Sequence, residues 1–465
     1  MNSKRKFGGI LLGSIIIAMM VLPGTVLAIS NEQVIGGYHF DPGFPIKAQT
    51  NAIDSIEDDV VAVFSQEKQV GGPYNIYLQK STDGGVNWQP SLIQLWDSNL
   101  DQKNPDVVMI DMEGTKVVFI VWDEANIIYA TARLFNSPST IWGGGSWGDL
   151  QMPKRITVNV GEYNFPRITG RYYTGSVNDE YGSWMYVHIV WEAYISGQGA
   201  WTRYEIQMRT FLWENLGGTE SLTWSNEYTA AQDLENYDLR HPTIDVYGGQ
   251  FPLVLTYDCE NRGTGQIDVR LVPLWYSPMS VYYQGYPNIP NSLQNVVFQS
   301  QPYYYFPEVT LYENSDQSMQ TIITGQSWNG LAGSILARAY NYFANPPNDF
   351  GNLLTVGSST AAPSLKGVGI DSTEPDQWFI GGIKVIWAST SEVRSNMLTA
   401  NGTQISVCYR NPPPPDPYYV DTTGLYDGAI TYVAISMTHI YATSTTYAHQ
   451  LYCCTGRDII YYTDP

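Results

Sequence analysis

The sequence predicts an all-β chain folded as a seven-bladed β-propeller of four-stranded antiparallel blades, with six blades as the alternative count. Three observations predict it. A Pro followed by alternating apolar residues recurs along the chain, an apolar run often ending in an aromatic residue follows each copy, and the chain stops on what reads as the third strand of its seventh round. Internal repetition at this period marks radial arrays of small sheets, which solve the problem of exposed sheet edges by closing into a ring.

The first segment stands outside the repeat. Met1 to Ala28 reads as an export signal, with Lys4, Arg5 and Lys6 as its basic region, Ile10 to Leu22 as its apolar run and Val26-Leu27-Ala28 as its cleavage site. The run is short of the ~20 residues a spanning helix needs and is broken by Gly13 and Pro23, so no integral membrane span is expected in the mature chain. A prepilin-type cut after Gly9 would instead keep the apolar segment. Residues 29–465 then form a single propeller domain, secreted or held at the extracellular cell surface.

The repeat itself opens with "FPIKAQ" at Pro45 and recurs as "NPDVVMI" at Pro105, "FPRITG" at Pro166, "HPTIDV" at Pro242, "FPEVTL" at Pro307 and "APSLKG" at Pro363, with a degenerate "DGAITYV" at Gly428. Second strands follow at "VVAVF" to Phe64, "VVFIVW" to Trp122, "VHIVW" to Trp191, "LVLTY" to Tyr257, "TIIT" to Thr324, "IKVIW" to Trp387 and "HIYAT" to Thr443. Third strands include "NIYLQKS" from Asn75 and "DIIYYT" from Asp458. Stacked β-sandwiches also show short, regularly spaced strands, but not one Pro-strand-strand-aromatic order seven times. The seventh round lacks a fourth strand, and Asn31 to Phe40 is free to supply it and close the ring.

Composition narrows the partners. Lys and Arg number 24 against 44 Asp and Glu, a net charge of −20, which makes nucleic acid and anionic membrane poor partners because both require a basic footprint. Glycans, cell-surface proteins and cations remain. Of the four cysteines, a bridge from Cys408 to Cys453 or Cys454 is compatible with export, as is a bond within the adjacent pair, and no metal-type spacing occurs. Asn401-Gly402-Thr403 is a glycosylation sequon, and Pro412 to Pro415 reads as a stiff exposed connection.

Directly after the "NIYLQK" strand comes Ser81-Thr82-Asp83-Gly84-Gly85-Val86-Asn87-Trp88. Ser81, Asp83, Gly85 and Trp88 match the S-x-D-x-G-x-x-W Asp-box, and the chain resembles the sialidase-type (BNR) Asp-box β-propellers. The resemblance implies a turn between third and fourth strands, on the face opposite the active site. Asp83 accepts local N–H groups in such a turn and the glycines supply positive φ, so the box reads as structural.

On the other face, the loops before each Pro contribute Asn104, Phe165, Arg167, Arg240, His241, Tyr303 to Phe306 and Glu308. The loops after each second strand contribute Asp123, Glu124, Glu192, Asp258, Glu260 and Trp328. Arg167 and Arg240 flank equivalent Pros and are candidate ligand contacts or partners of nearby carboxylates, whereas His241 reads as a packed loop residue. Rings and carboxylates together suit sugar binding; two carboxylates ~5 to 9 Å apart would permit glycoside hydrolysis, and three or more would hold Ca²⁺. True sialidases, in the resemblance, need three arginines, the first in an R-I-P motif near the N-terminus. No Arg occurs here between Ile29 and Ala132, Lys47 stands in that region, and Lys does not replace a bidentate guanidinium. No catalytic residue is therefore carried over. The chain reads first as a binding or interaction module for glycans or proteins, second as a sialidase-like hydrolase or lyase, and third as a structural envelope protein.

Overall fold

The structure is a computed structural model that describes residues 33–37, 47–136, 152–158, 161–177, 180–196, 202–231, 236–246, 253–274, 295–298, 304–313, 319–328, 333–341, 349–359, 368–372, 382–389, 392–401, 404–407, 418–420, 430–440, 445–454 and 458–464. The chain forms seven antiparallel sheets of four strands, two of them with a fifth short strand at the edge. The first strands of blades 1 to 7 are Ala48–Ile56, Gln102–Met112, Glu162–Val177, Tyr237–Val246, Tyr304–Glu313, Val368–Ser372 and Ile430–Ile440. Each neighbours the next, and the seventh returns to the first, so together they line a central axis. Second strands follow at Asp59–Glu67, Thr115–Glu124, Glu180–Ser196, Leu253–Asn261, Met319–Trp328, Ile383–Ser389 and Thr445–Cys454.

Ring closure occurs where the sequence places it. Gln33–Gly37 pairs antiparallel with Asp458–Asp464, Gln33 opposite Tyr461, and completes blade 7 as its outermost strand. One expected strand differs: His439 and Ile440 end the first strand of blade 7, and its second strand is Thr445–Cys454. The seventh repeat lacks the Pro found at the bulges of blades 2 to 5, and without that marker the apolar run ending its first strand reads as the start of the second.

Packing follows from the radial arrangement. Each sheet buries both faces against its neighbours, which is why the second strands are continuous apolar runs rather than alternating ones. Among the described residues the buried side chains form seven clusters, each spanning one blade-to-blade interface. The aromatic residues that end the apolar runs of the second strands, Phe64, Trp122, Trp191, Tyr257 and Trp387, are fully buried there. Each ring of this kind buries about 150–250 Å² and is a main source of interface stability.

The recurrent Pro marks a β-bulge. Pairing of first and second strands skips two residues at Asn104-Pro105, Phe165-Pro166, His241-Pro242 and Phe306-Pro307. A residue without an N–H is harmless where no ladder bond forms. In blade 1 the skip falls at Gln49-Thr50, so Pro45, which with Pro363 lies outside the described residues, does not occupy it. Also outside are 1–28, Tyr303, Cys408, 402–403 and 412–415, together with the side chains of Tyr304, Tyr305, Cys453 and Cys454. No helix among the described residues is long and apolar enough to cross a membrane.

Candidate functional site

The two faces separate as the strand order requires: bulges and second-to-third-strand loops at one end, and first-to-second and third-to-fourth turns at the other. The Ser81–Trp88 turn lies at the second end. Asp83 Oδ1 accepts from Ser81 Oγ at 2.7 Å and Asn87 N at 2.8 Å, and Ser81 Oγ accepts from Gly85 N at 3.0 Å. Gly84 and Gly85 have φ of 66° and 83°. Trp88 packs edge-on against Tyr461, 4.8 Å away, whose hydroxyl donates to Gly84 O at 3.0 Å, while Gln33 Nε2 donates to Gly85 O at 3.0 Å. The turn thus clasps both strands of the closing seam, a role for which no signal exists in the box itself.

The bulge end surrounds the mouth of the axis. Asn104, Phe165, His241 and Phe306 all have φ between 47° and 49°, a left-handed conformation that bulky residues rarely adopt. Such strain costs of order 1–3 kcal/mol per residue and persists only where other contacts hold it. Carboxylates supply those contacts. Asp123 accepts from Asn104 Nδ2 at 2.8 Å and from the backbone N–H of Phe165 on the next blade. Glu192 accepts from His241 N at 3.2 Å, and Asp258 from His241 Nδ1 at 2.6 Å and Phe306 N at 3.3 Å. Hydrogen bonds to charged groups contribute about 1.5–3 kcal/mol, enough to offset the strain. Burial, reinforced by the Glu192 charge and opposed by these bonds, pushes the Asp123 carboxyl up to about 7; burial also raises Glu192 and Asp258.

The rings of Phe165, His241 and Phe306 form one cluster over the mouth, with centroids 4.9 Å and 4.0 Å apart along the series. Below it Arg167 reaches from blade 3 to Glu308 on blade 5, Nη2 to Oε1 at 2.5 Å, with Asp106 of blade 2 at 3.7 Å. Burial pulls the guanidinium down, but the Glu308 and Asp106 charges more than reverse it. Beneath this ion pair lies a cavity of about 160 Å³, lined by the first strands and holding Asp54, Asp245 and Asp371. Each of these joins two blades, accepting from Met109 N at 2.6 Å, Leu311 N at 2.8 Å and Met437 N at 2.7 Å respectively. The cavity is smaller than the ~300 Å³ at which small-molecule sites begin.

No protein-family model matches the chain, and no characterised protein matches it in sequence. Among similar solved structures are a mutant Aleuria aurantia lectin bound to Fucα1-6GlcNAc (11% identity, TM-score 0.42, covering 78% of this chain and 94% of that one) and the GH93 α-L-arabinofuranosidase of Fusarium graminearum with arabinobiose (8%, 0.39, 94% and 97%). A third is the Dos1 propeller (8%, 0.33, 90% and 95%). These neighbours are β-propellers that include a lectin and a glycoside hydrolase. At such scores the likeness carries no argument about activity, and the seven blades rest on the strand pairing.

The structure brings Asp123, Arg167, Glu192 and Asp258 together around the mouth, each engaged with a neighbouring blade. Arg240 lies over the Tyr204 ring at 4.1 Å, while Glu260 and Trp328 stand half-buried at second-strand ends on the same face. Glu124 faces elsewhere, holding Ser98 Oγ at 2.6 Å and Gln102 Nε2 at 2.7 Å. Among the described residues no group of three or more His, Cys, Asp or Glu is placed to hold a metal ion. The axial aspartates escaped sequence reasoning. Their signal was nevertheless present, as the recurring Ile-Asp pairs at Ile53-Asp54, Ile244-Asp245 and Ile370-Asp371.

Proposed function

We propose that this protein is an exported, Asp-box-type propeller that binds glycans through the face carrying the proline bulges. One observation carries the reading. Asp123, Glu192 and Asp258 are turned inward onto backbone amides at the bulges, and the mouth above them presents half-buried aromatic rings, Phe165, His241 and Phe306. An aromatic surface held in place by the bulges suits the C–H face of a sugar and loses little entropy on binding. Export rests on the character of Met1 to Ala28.

Hydrolysis is the second reading. It draws on Glu192 and Asp258, neighbouring carboxyls raised by burial as a general acid requires. The test is a glycan array with the purified chain, followed by incubation with each hit and chromatography of the products. Retention without cleavage is the expected result; cleavage would transfer the assignment to the hydrolase, and a blank array would sink both.

A further inference from the structure

A second place on the same face has the properties of a ligand subsite, and the inference rests on the glycan-binding reading. Residues 95–101 join the last strand of blade 1 to the first strand of blade 2 on the bulge side. A buried polar network fixes this loop. Asn75 Oδ1 accepts from Ser98 N at 3.2 Å, Glu124 Oε1 from Ser98 Oγ at 2.6 Å, and Ser98 Oγ from Leu100 N at 3.0 Å. Gln102 ties the network to the sheet, donating to Glu124 Oε2 at 2.7 Å and accepting from Ile76 N at 2.9 Å. Asn75 and Gln102 are fully buried and Glu124 nearly so.

What this rigid loop holds out to solvent is Trp96, 39% exposed, with Leu100 four residues further on and Val70 on the adjoining loop. Elsewhere tryptophan fills blade interfaces: Trp122, Trp191 and Trp387 are fully buried. Trp96 is not buried in this way: among the described residues it is the one tryptophan in the exposed class. The surface charges flanking it are paired, Lys68 with Asp97 and Lys103 with Asp101 at 3.4 Å, and the Glu124 carboxylate is buried beneath the loop. A flat apolar ring with an N–H at its rim, flanked by paired surface charges, matches a neutral sugar ring, which offers a C–H face and peripheral hydroxyls. Because the loop is already ordered, binding would incur little ordering cost.

We infer that Trp96 is the stacking platform of a subsite for neutral oligosaccharides, positioned by Glu124 and Gln102. The test measures affinity by calorimetry for the hexaoses of β-1,4-glucose, β-1,4-mannose, β-1,4-xylose and α-1,5-arabinose, with hexagalacturonate as the charged comparison. Wild type, Trp96→Ala and Trp96→Phe are compared, with iodide quenching of indole fluorescence as a second readout. The expected result is binding of at least one neutral hexaose, weakened about tenfold or more in Trp96→Ala, largely restored in Trp96→Phe, with Trp96 shielded from iodide by the sugar. Equal affinity of wild type and Trp96→Ala overturns the subsite while glycan binding stands, as does a preference for hexagalacturonate. Failure of the wild type to bind any probe overturns the subsite and the broader reading together.

Discussion

At position 241 a histidine takes the backbone conformation that asparagine holds at 104, with φ of 47° and 49°, and both side chains bond a carboxylate of their own blade. Asparagine tolerates left-handed φ better than other non-glycine residues and offers an Nδ2 donor where histidine offers Nδ1. His241→Asn should therefore rebuild in blade 4 the arrangement of blade 2 and unfold in urea within about 1 kcal/mol of wild type. His241→Ala leaves Asp258 short of a donor and should lose about 1–3 kcal/mol. Equal destabilisation of the two variants would show that the ring packing of His241 against Phe165 and Phe306, rather than the bond to Asp258, secures the bulge.

At the scale of the element, the Ser81–Trp88 hairpin acts as the latch of the ring. A Cβ at Gly85 would lie 1.9 Å from Tyr461 Oη, and φ there is 83°. The turn and the closing seam can therefore meet only if residue 85 is glycine. Gly85→Ala should cost about 2–4 kcal/mol, from overpacking and positive φ together, read as a lower urea midpoint. An unchanged midpoint would mean that the turn can lift off the seam without loss. The blade's other hairpin residues show the same division of labour: Asp83 is occupied with its own turn and has no part in the opposite face.

For the whole molecule, the interior holds more acid than base. Five carboxyls line or border the axial cavity, Asp54, Asp106, Asp245, Glu308 and Asp371, with Arg167 the cation among its lining residues. Burial pushes Asp54 and Asp245 up to about 6, raises Asp371 well above the usual range with help from the Asp54 and Asp245 charges, and takes Asp123 to about 7. Asp106 adds to the rise at Asp54, and Arg171 opposes it at Asp245. Folded values above the unfolded ~3.9 mean that the native state binds more protons, so this stability is full below about pH 4 and is lost as pH rises through 6 to 7. Two buried histidines act in the opposite sense: burial lowers His188 to about 3 and His449 to about 4, which removes stability as pH falls below ~6.5. The carboxyls outnumber them, and the repulsion of a net charge of −20 adds to their effect at high pH. The melting temperature should be higher at pH 5 than at pH 8, by the equivalent of a few kcal/mol, and Asp245→Asn should flatten the slope. A melting temperature that rises from pH 5 to pH 8 would contradict the balance drawn here.

Blade number, the closing strand and the strand order outside blade 7 were legible in the sequence, because apolar periodicity, the Pro at the bulges of blades 2 to 5 and the glycines of the Ser81–Trp88 turn act over a few neighbouring residues. The repeat-equivalent acids Asp123 and Glu192 were legible as positions but not as roles. Their partners, Phe165 N and His241 N, lie a whole blade further along the chain, and no local pattern encodes which amide a carboxylate will meet. The same distance hid the axial set, since Asp54, Asp245 and Asp371 come together only when seven first strands close around one axis. It also hid the contrast between Trp122 and Trp96, identical residues on successive stretches of chain, one fully buried and one exposed. Short-range chemistry determined the architecture of this protein; which of its acids hold blades together, and which ring faces solvent, was decided by ring closure, because only then do residues distant in sequence share a surface.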